Sequence, residues 1–207
     1  MRLFSTLVRA DIERCLNDRR ATLWQMLCAL RRELGLQALL VYRFGRLLAA
    51  GRRRLLAWPL LPIGWLLYGM AVFLIRRCYD IRLELSADIG PGCLVRHFGG
   101  IVAVNCRLGA RCSFGQQTRI GRDAEADGPL IGEGVWIGAH AQVWGAIRLG
   151  DGVTVAPGAR LNRSAPAHAL VVGDPGRVVL RYDNSPILPA HLTLERPPET
   201  PASRALG

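Results

Sequence analysis

From Ile89 to Leu161 a large apolar residue, often followed by glycine, returns at every sixth position. Ile89, Val95, Ile101, Leu108, Phe114 and Ile120 set the beat, and Ile131, Ile137, Val143, Leu149, Val155 and Leu161 resume it. A slip of one residue falls between Ile101 and Leu108. Neither an α-helix, with 3.6 residues per turn, nor an alternating strand, with a period of 2, carries this spacing over such a length. Six-residue repeats mark a parallel β-helix, in which each repeat is one short strand and three repeats close a triangular rung. The large apolar residue points inward and stacks on its equivalent one rung below. The small residue that follows lets the chain turn where a Cβ would clash. The eleven-residue gap from Ile120 to Ile131 equals one repeat plus five extra residues, which predicts a loop leaving the coil over 122–130.

The chain before the beat reads as helical. Leu3, Leu7, Val8, Ile12 and Leu16 lie at helical spacing. A second helix is expected over 22–34, stopping at Gly35, and a third over 36–50, stopping at Gly51. Then comes LLAWPLLPIGWLLYGMAVFLI, residues 55–75, bracketed by Arg52-Arg53-Arg54 and by Arg76-Arg77. Its length would span a bilayer. Pro59, Pro62 and Gly64 break its first half, and basic residues on both sides give no orientation. Three readings stay open: helices buried against the rest of the protein, a hairpin inserted into a membrane surface, or a true span. The expected class is therefore α+β. An α-helical N-terminal domain covers 1–79, a β-helix 80–179, and a Pro-rich polar tail 180–207.

The net charge is +11, and all 27 basic residues are arginine. A G+C-rich genome produces that bias. So does a surface that attracts polyanions such as a phosphorylated cofactor, acidic lipid or acidic glycan. The arginines are dispersed, and no helix-turn-helix, zinc finger or RNA-binding signature appears, so nucleic acid is not an expected partner. The N-terminal apolar stretch is too short for a signal peptide. Six cysteines without a CxxC pattern exclude an obvious zinc site or disulfide framework, and no metal is expected. Cys93 and Cys112 fall one rung apart, yet parallel side chains there favour free thiols in a reducing cytosol.

The stretch ADIGPGCLVRHFGGIVAVNCRLG, the closing VVGDPGRVV and the helical GLQALLVYRFGRLL resemble the serine O-acetyltransferase branch of the hexapeptide-repeat acyltransferases. The pattern is closest to the branch's polysaccharide-linked members. The resemblance implies a left-handed β-helix, assembled as a homotrimer or a dimer of trimers. It also implies acetyl transfer from acetyl-CoA to a hydroxyl, with CoA lying between neighbouring coils.

His97 matches the catalytic histidine of that branch. A hydroxyl attacks a thioester poorly at neutral pH. An imidazole of pKa near 6.5 takes its proton during attack and returns it to the departing thiolate. Such a base is worth about 10²–10⁴ in rate, or about 3–5 kcal/mol. The branch pairs its histidine with an aspartate fifteen residues earlier, and that position is Arg82 here. Glu84, two residues on, shares Arg82's side of a strand and is a candidate for orienting His97, as is a backbone carbonyl. Gly138, Ala139 and Ala156 match positions where the family's backbone approaches the pantetheine arm, although tight corners explain small residues there equally well. Arg177 matches a terminal arginine near the CoA nucleotide and could pair with phosphate. Trp136 and Trp144 could stack on adenine or pack between subunits. His140 is expected to face outward, and His168 and His191 receive no role.

Serine enzymes of the branch carry an aspartate just before the histidine, where this chain has Arg96, and a basic pair where it has Asp127-Gly128. Those positions hold the charged ends of the amino acid. Their reversal favours an acceptor hydroxyl on a sugar in surface polysaccharide assembly, with Arg82 and Arg96 suited to an acidic one. Two alternatives remain: serine O-acetyltransfer in cysteine biosynthesis, and an inactive structural or regulatory trimer that kept the coil without a working dyad. The expected location is the cytoplasm, including peripheral association with the inner face of the membrane.

Overall fold

A helical region followed by a parallel β-solenoid of hexapeptide repeats forms the molecule. The computed structural model describes residues 2–16, 23–51, 61–96, 99–121 and 128–181. The helices are α1 (Arg2–Leu16), α2 (Leu23–Arg32), α3 (Leu34–Gly51) and α4 (Leu61–Tyr79). Among the described residues, fifteen short strands then wind into three sheets. Sheet A holds β1 (Ile81–Leu83), β4 (Ile101–Val104), β7 (Arg119–Gly121), β10 (Gln142–Trp144) and β13 (Arg160–Leu161). Sheet B holds β2 (Asp88–Ile89), β5 (Arg107–Leu108), β8 (Leu130–Ile131) and β11 (Arg148–Leu149). Sheet C holds β3 (Leu94–Val95), β6 (Ser113–Phe114), β9 (Trp136–Ile137), β12 (Thr154–Val155), β14 (Ala169–Val172) and β15 (Arg177–Arg181).

All twelve beat residues are buried. Val95, Phe114, Ile137, Val155 and Val171 stack up the inside of sheet C, and Ile89, Leu108, Ile131 and Leu149 up that of sheet B. The slip sits elsewhere than the spacing suggests. In β4, Ile101 pairs with Ile81 below, whereas Ala103 pairs with Ile120 above, and both point inward. The chain thus takes two extra residues at the corner before β4, around Gly99-Gly100, and one fewer after it.

Where a glycine follows a beat residue, the neighbouring rung requires it. A Cβ on Gly138 would lie 2.6 Å from the Pro157 nitrogen, closer than real Cβ contacts come. The left-handed backbone falls two residues further on: Gly92, Arg111, Gly134, Gly152 and His168 form a column at the corner between sheets B and C, all with φ between 56° and 67°. Non-glycine residues accept this conformation at a modest cost.

The coil outlasts the visible beat. Ala165 bridges to Leu149, β14 adds a rung with Ala169 and Val171 buried, and β15 turns back antiparallel along β14. β15 thereby covers the open edge and runs two residues into the expected tail. Of the loop expected over 122–130, Leu130 already belongs to β8, and residues 122–127 lie outside the described residues.

Gly35 does not stop a helix. The break is the single residue Glu33, and α3 runs on through Gly35. A Cβ there would overlap the Val95 carbonyl oxygen, so this glycine lets α3 lie against β3. Gly35→Ala should gain up to about 1 kcal/mol of helix propensity and lose about 1–3 kcal/mol to overpacking. Net destabilisation in urea unfolding is the expected result, and a more stable variant would contradict this role.

Polar groups from two helices key the helical region onto the coil. Asp11 of α1 and Arg43 of α3 form a buried ion pair, Nε to Oδ2 3.0 Å. Arg43 also donates to the carbonyls of Ile89 and Gly90, the latter at 2.6 Å, while Asp11 accepts from the Cys93 amide at 3.2 Å. Burial pushes the Asp11 carboxyl up from its usual value, against the hydrogen bonds and charge of Arg43 that pull it down. The Tyr42 hydroxyl donates to the Ala87 carbonyl at 2.7 Å. Every cysteine is free, and Cys93, Cys106 and Cys112 are buried. Burial pushes the Cys106 thiol up to about 12.

Candidate active site

The corner between sheets C and A gathers most of the residues singled out from the sequence. The amides of Arg96, Gly115, Gly138 and Ala156 donate to the carbonyls of Phe114, Ile137, Val155 and Val171, so these four residues climb one edge, a rung at a time. At about 4.8 Å per rung, Arg96 and Ala156 lie roughly 14 Å apart along it. Ala139 sits beside Gly138 on this edge. At its top, Arg177 opens β15 opposite Val172. Its side chain is exposed, as is that of Arg96. His97 and Phe98 lie outside the described residues, but Arg96 and Gly99 flank them, and both belong to this corner.

The edge is built from tight backbone contacts. Gly115 and Gly138 are buried, and a Cβ on Gly115 would lie 2.5 Å from the Ala139 nitrogen. Buried Thr118 donates its hydroxyl to the Gly115 carbonyl at 2.7 Å, with the Gly138 carbonyl 3.3 Å away. Asp80, Gly100, Gln117, His140 and Gly158 form a left-handed column here, with φ between 49° and 72°. The result is a stiff, small-residue ridge along which an extended pantetheine arm could lie. His140 stands exposed on it, as expected from the sequence.

Glu84 is not brought to this edge. Its amide donates to Ala103 at the far end of sheet A, about 13 Å along the strand from Asp80. Its carboxylate accepts from Ser86 at 3.4 Å. The acid on the edge is Asp80, because the Gly99 amide donates to the carbonyl of Tyr79, the residue before it. Counting fifteen residues back from His97 leads to Arg82. The two extra residues at this corner shift the register, and Asp80 falls beneath Gly100 instead. Counting from the strand partner, Ile81 under Ile101, finds it. Arg82 points outward from β1 and lies 3.9 Å from the Asp80 carboxylate, both groups more than half exposed. Among the described residues, then, Arg82 and Asp80 meet at the foot of the edge, and Glu84 stands apart. Thr118 was also missed, because nothing in its spacing distinguishes it from a coil residue.

Trp136 packs on the outside of sheet C between Ser113 and Thr154. Trp144 is exposed at the end of β10, beside a hollow of about 400 Å³ lined by Arg119, Gln142, Arg160 and Asp174. Another hollow, about 870 Å³, lies on sheet B between Arg107 and Arg148.

Stacked hexapeptide rungs with a small-residue edge define a hexapeptide-repeat protein. Residues 128–163 match the family model described as bacterial transferase hexapeptide (six repeats). The chain is similar to serine acetyltransferase of Synechococcus elongatus, 28% identical over 151 residues, which are 71% of this chain and 57% of that protein. Its fold matches that of serine acetyltransferase from Vibrio cholerae, with a TM-score of 0.71 and 26% identity over 89% of this chain and 68% of that one. It also matches a serine acetyltransferase solved in complex with CoA, with a TM-score of 0.63 and 25% identity over 85% and 68% of the two chains. The chain spans 31% to 57% of the length of the serine acetyltransferases it matches from Arabidopsis thaliana, Escherichia coli and Synechococcus elongatus.

Proposed function

We propose that the protein is an acetyl-CoA-dependent O-acetyltransferase working at the C–A edge. The observation that carries this is the alignment of Arg96, Gly138, Ala139, Ala156 and Arg177 on one edge. A CoA complex of a structural relative supports the donor. In this reading His97 takes the proton of the acceptor hydroxyl as its oxygen attacks the thioester carbonyl. The tetrahedral intermediate then collapses, the C–S bond breaks, and the thiolate leaves with that proton. The arm lies along the small-residue edge, and Arg177 meets its phosphates. A neighbouring subunit supplies the second wall, and a cyclic trimer closes three such clefts.

The relatives described above are serine acetyltransferases, so L-serine is the first acceptor to test. A sugar hydroxyl is the second reading. It is favoured by exposed Arg82 and Arg96 at the foot of the edge, where two cations face the single carboxylate of Asp80 and disfavour an amino acid's ammonium. The test is CoA release from acetyl-CoA by purified trimer, with L-serine and with neutral and acidic hexoses as acceptors. Acceptor-dependent release with serine or a hexose supports the transferase, and the ratio of kcat/KM values names the acceptor class. Acetyl-CoA binding with no release to any of them would leave the inactive-trimer reading.

A further inference from the structure

We propose that α4 is an interfacial membrane anchor that docks the protein on an anionic bilayer without crossing it. Its inner side is committed to the protein. Leu48 packs at Gly64, Tyr68 at Gly45, and Ile75 is buried. Its outer side carries Ile63, Leu66, Leu67, Met70, Phe73 and Leu74, each between 52% and 71% exposed. At 3.6 residues per turn these fall on an arc of roughly 120° and about 16 Å of helix. A contiguous apolar face of this kind on a soluble chain marks an interaction surface. The helix passes a length-and-hydropathy criterion for a span. Its docked inner half argues against one, because crossing would strip α3 and β1 of their cover.

Charge selects the occupant. Between Leu34 and Tyr79 there is no acidic residue. Arg52, Arg53 and Arg54 precede the apolar run, Arg76 and Arg77 end it, and Arg77 lies on the same arc as the exposed apolar residues. A second copy of α4, parallel or antiparallel, would offer Arg76 and Arg77 no acidic residue to pair with. An anionic lipid surface accepts them, while the apolar arc enters the acyl boundary and the arginines stay at the headgroups.

The test is flotation of the full chain with phosphatidylcholine vesicles, with and without phosphatidylglycerol. Wild type should float with the anionic vesicles. It should stay bound at about 1 M salt, where screening reaches about 3 Å, because apolar burial is not screened. Met70→Glu, on the exposed arc and away from the C–A edge, should weaken partitioning at least tenfold, about 1.4 kcal/mol, while circular dichroism and acetyl-CoA binding stay unchanged. Arg77→Gln should weaken the preference for phosphatidylglycerol and keep the salt-resistant component. No flotation of wild type overturns the proposal. So does binding that salt abolishes and Met70→Glu leaves intact. A lipid-free higher oligomer that Met70→Glu dissociates would assign the face to a second copy instead.

Discussion

Replacing His97 by alanine is expected to lower acetyl transfer by about a hundredfold or more, the usual worth of a general base, with oligomeric state and CoA affinity nearly unchanged. The expectation combines the chemistry of hydroxyl attack on a thioester with position. Arg96 and Gly99, on either side of His97, belong to the edge that carries Gly138, Ala139 and Ala156. Single-turnover and steady-state assays would show the loss in kcat rather than in KM. Turnover within a few fold of wild type would remove His97 from the mechanism. Glu84→Gln should change little, because Glu84 stands at the other end of sheet A. If a carboxylate orients the imidazole from within the same chain, Asp80→Asn is the variant that should slow the enzyme.

Breaking the buried ion pair between α1 and α3, whose two members also hydrogen-bond the coil backbone, should be the most damaging change to stability. Arg43→Met leaves Asp11 fully buried with no cation, and it leaves the Ile89 and Gly90 carbonyls without their donor. Removing one partner of a buried pair costs about 3–5 kcal/mol. For a chain of this size that is a fall in Tm of roughly 6–20 °C. Replacing both residues, Asp11→Leu with Arg43→Met, should recover much of the loss, because no charge is then stranded. A single variant that unfolds within about 1 kcal/mol of wild type would show that the pair is not what holds the helices down.

The six-residue period determined the solenoid without help from anything else. Inward stacking requires a large apolar residue at one position in six, and each of the twelve so identified is buried. The helical character of the N-terminal region was equally legible, because amphipathic spacing is local. What local spacing does not record is register. Ala103 rather than Ile101 continues the column above it, and this follows from hydrogen bonds between rungs nearly twenty residues apart. That shift moved the acid of the edge from the counted position to Asp80 and left Glu84 outside. Gly35 read as a helix stop because glycine is a poor helix former, and only the approach of α3 to Val95 shows why glycine is needed there. Arg43 followed the helical turn in sequence, but its partner Asp11 lies 32 residues away and is reached only when α1 and α3 pack together. For the 55–75 run, hydropathy left three environments open. Contact with α3 and β1 closed the inner half of α4 and left the outer half bare. Composition sets how apolar a helix is, and packing alone decides which of its sides remains for something else to cover.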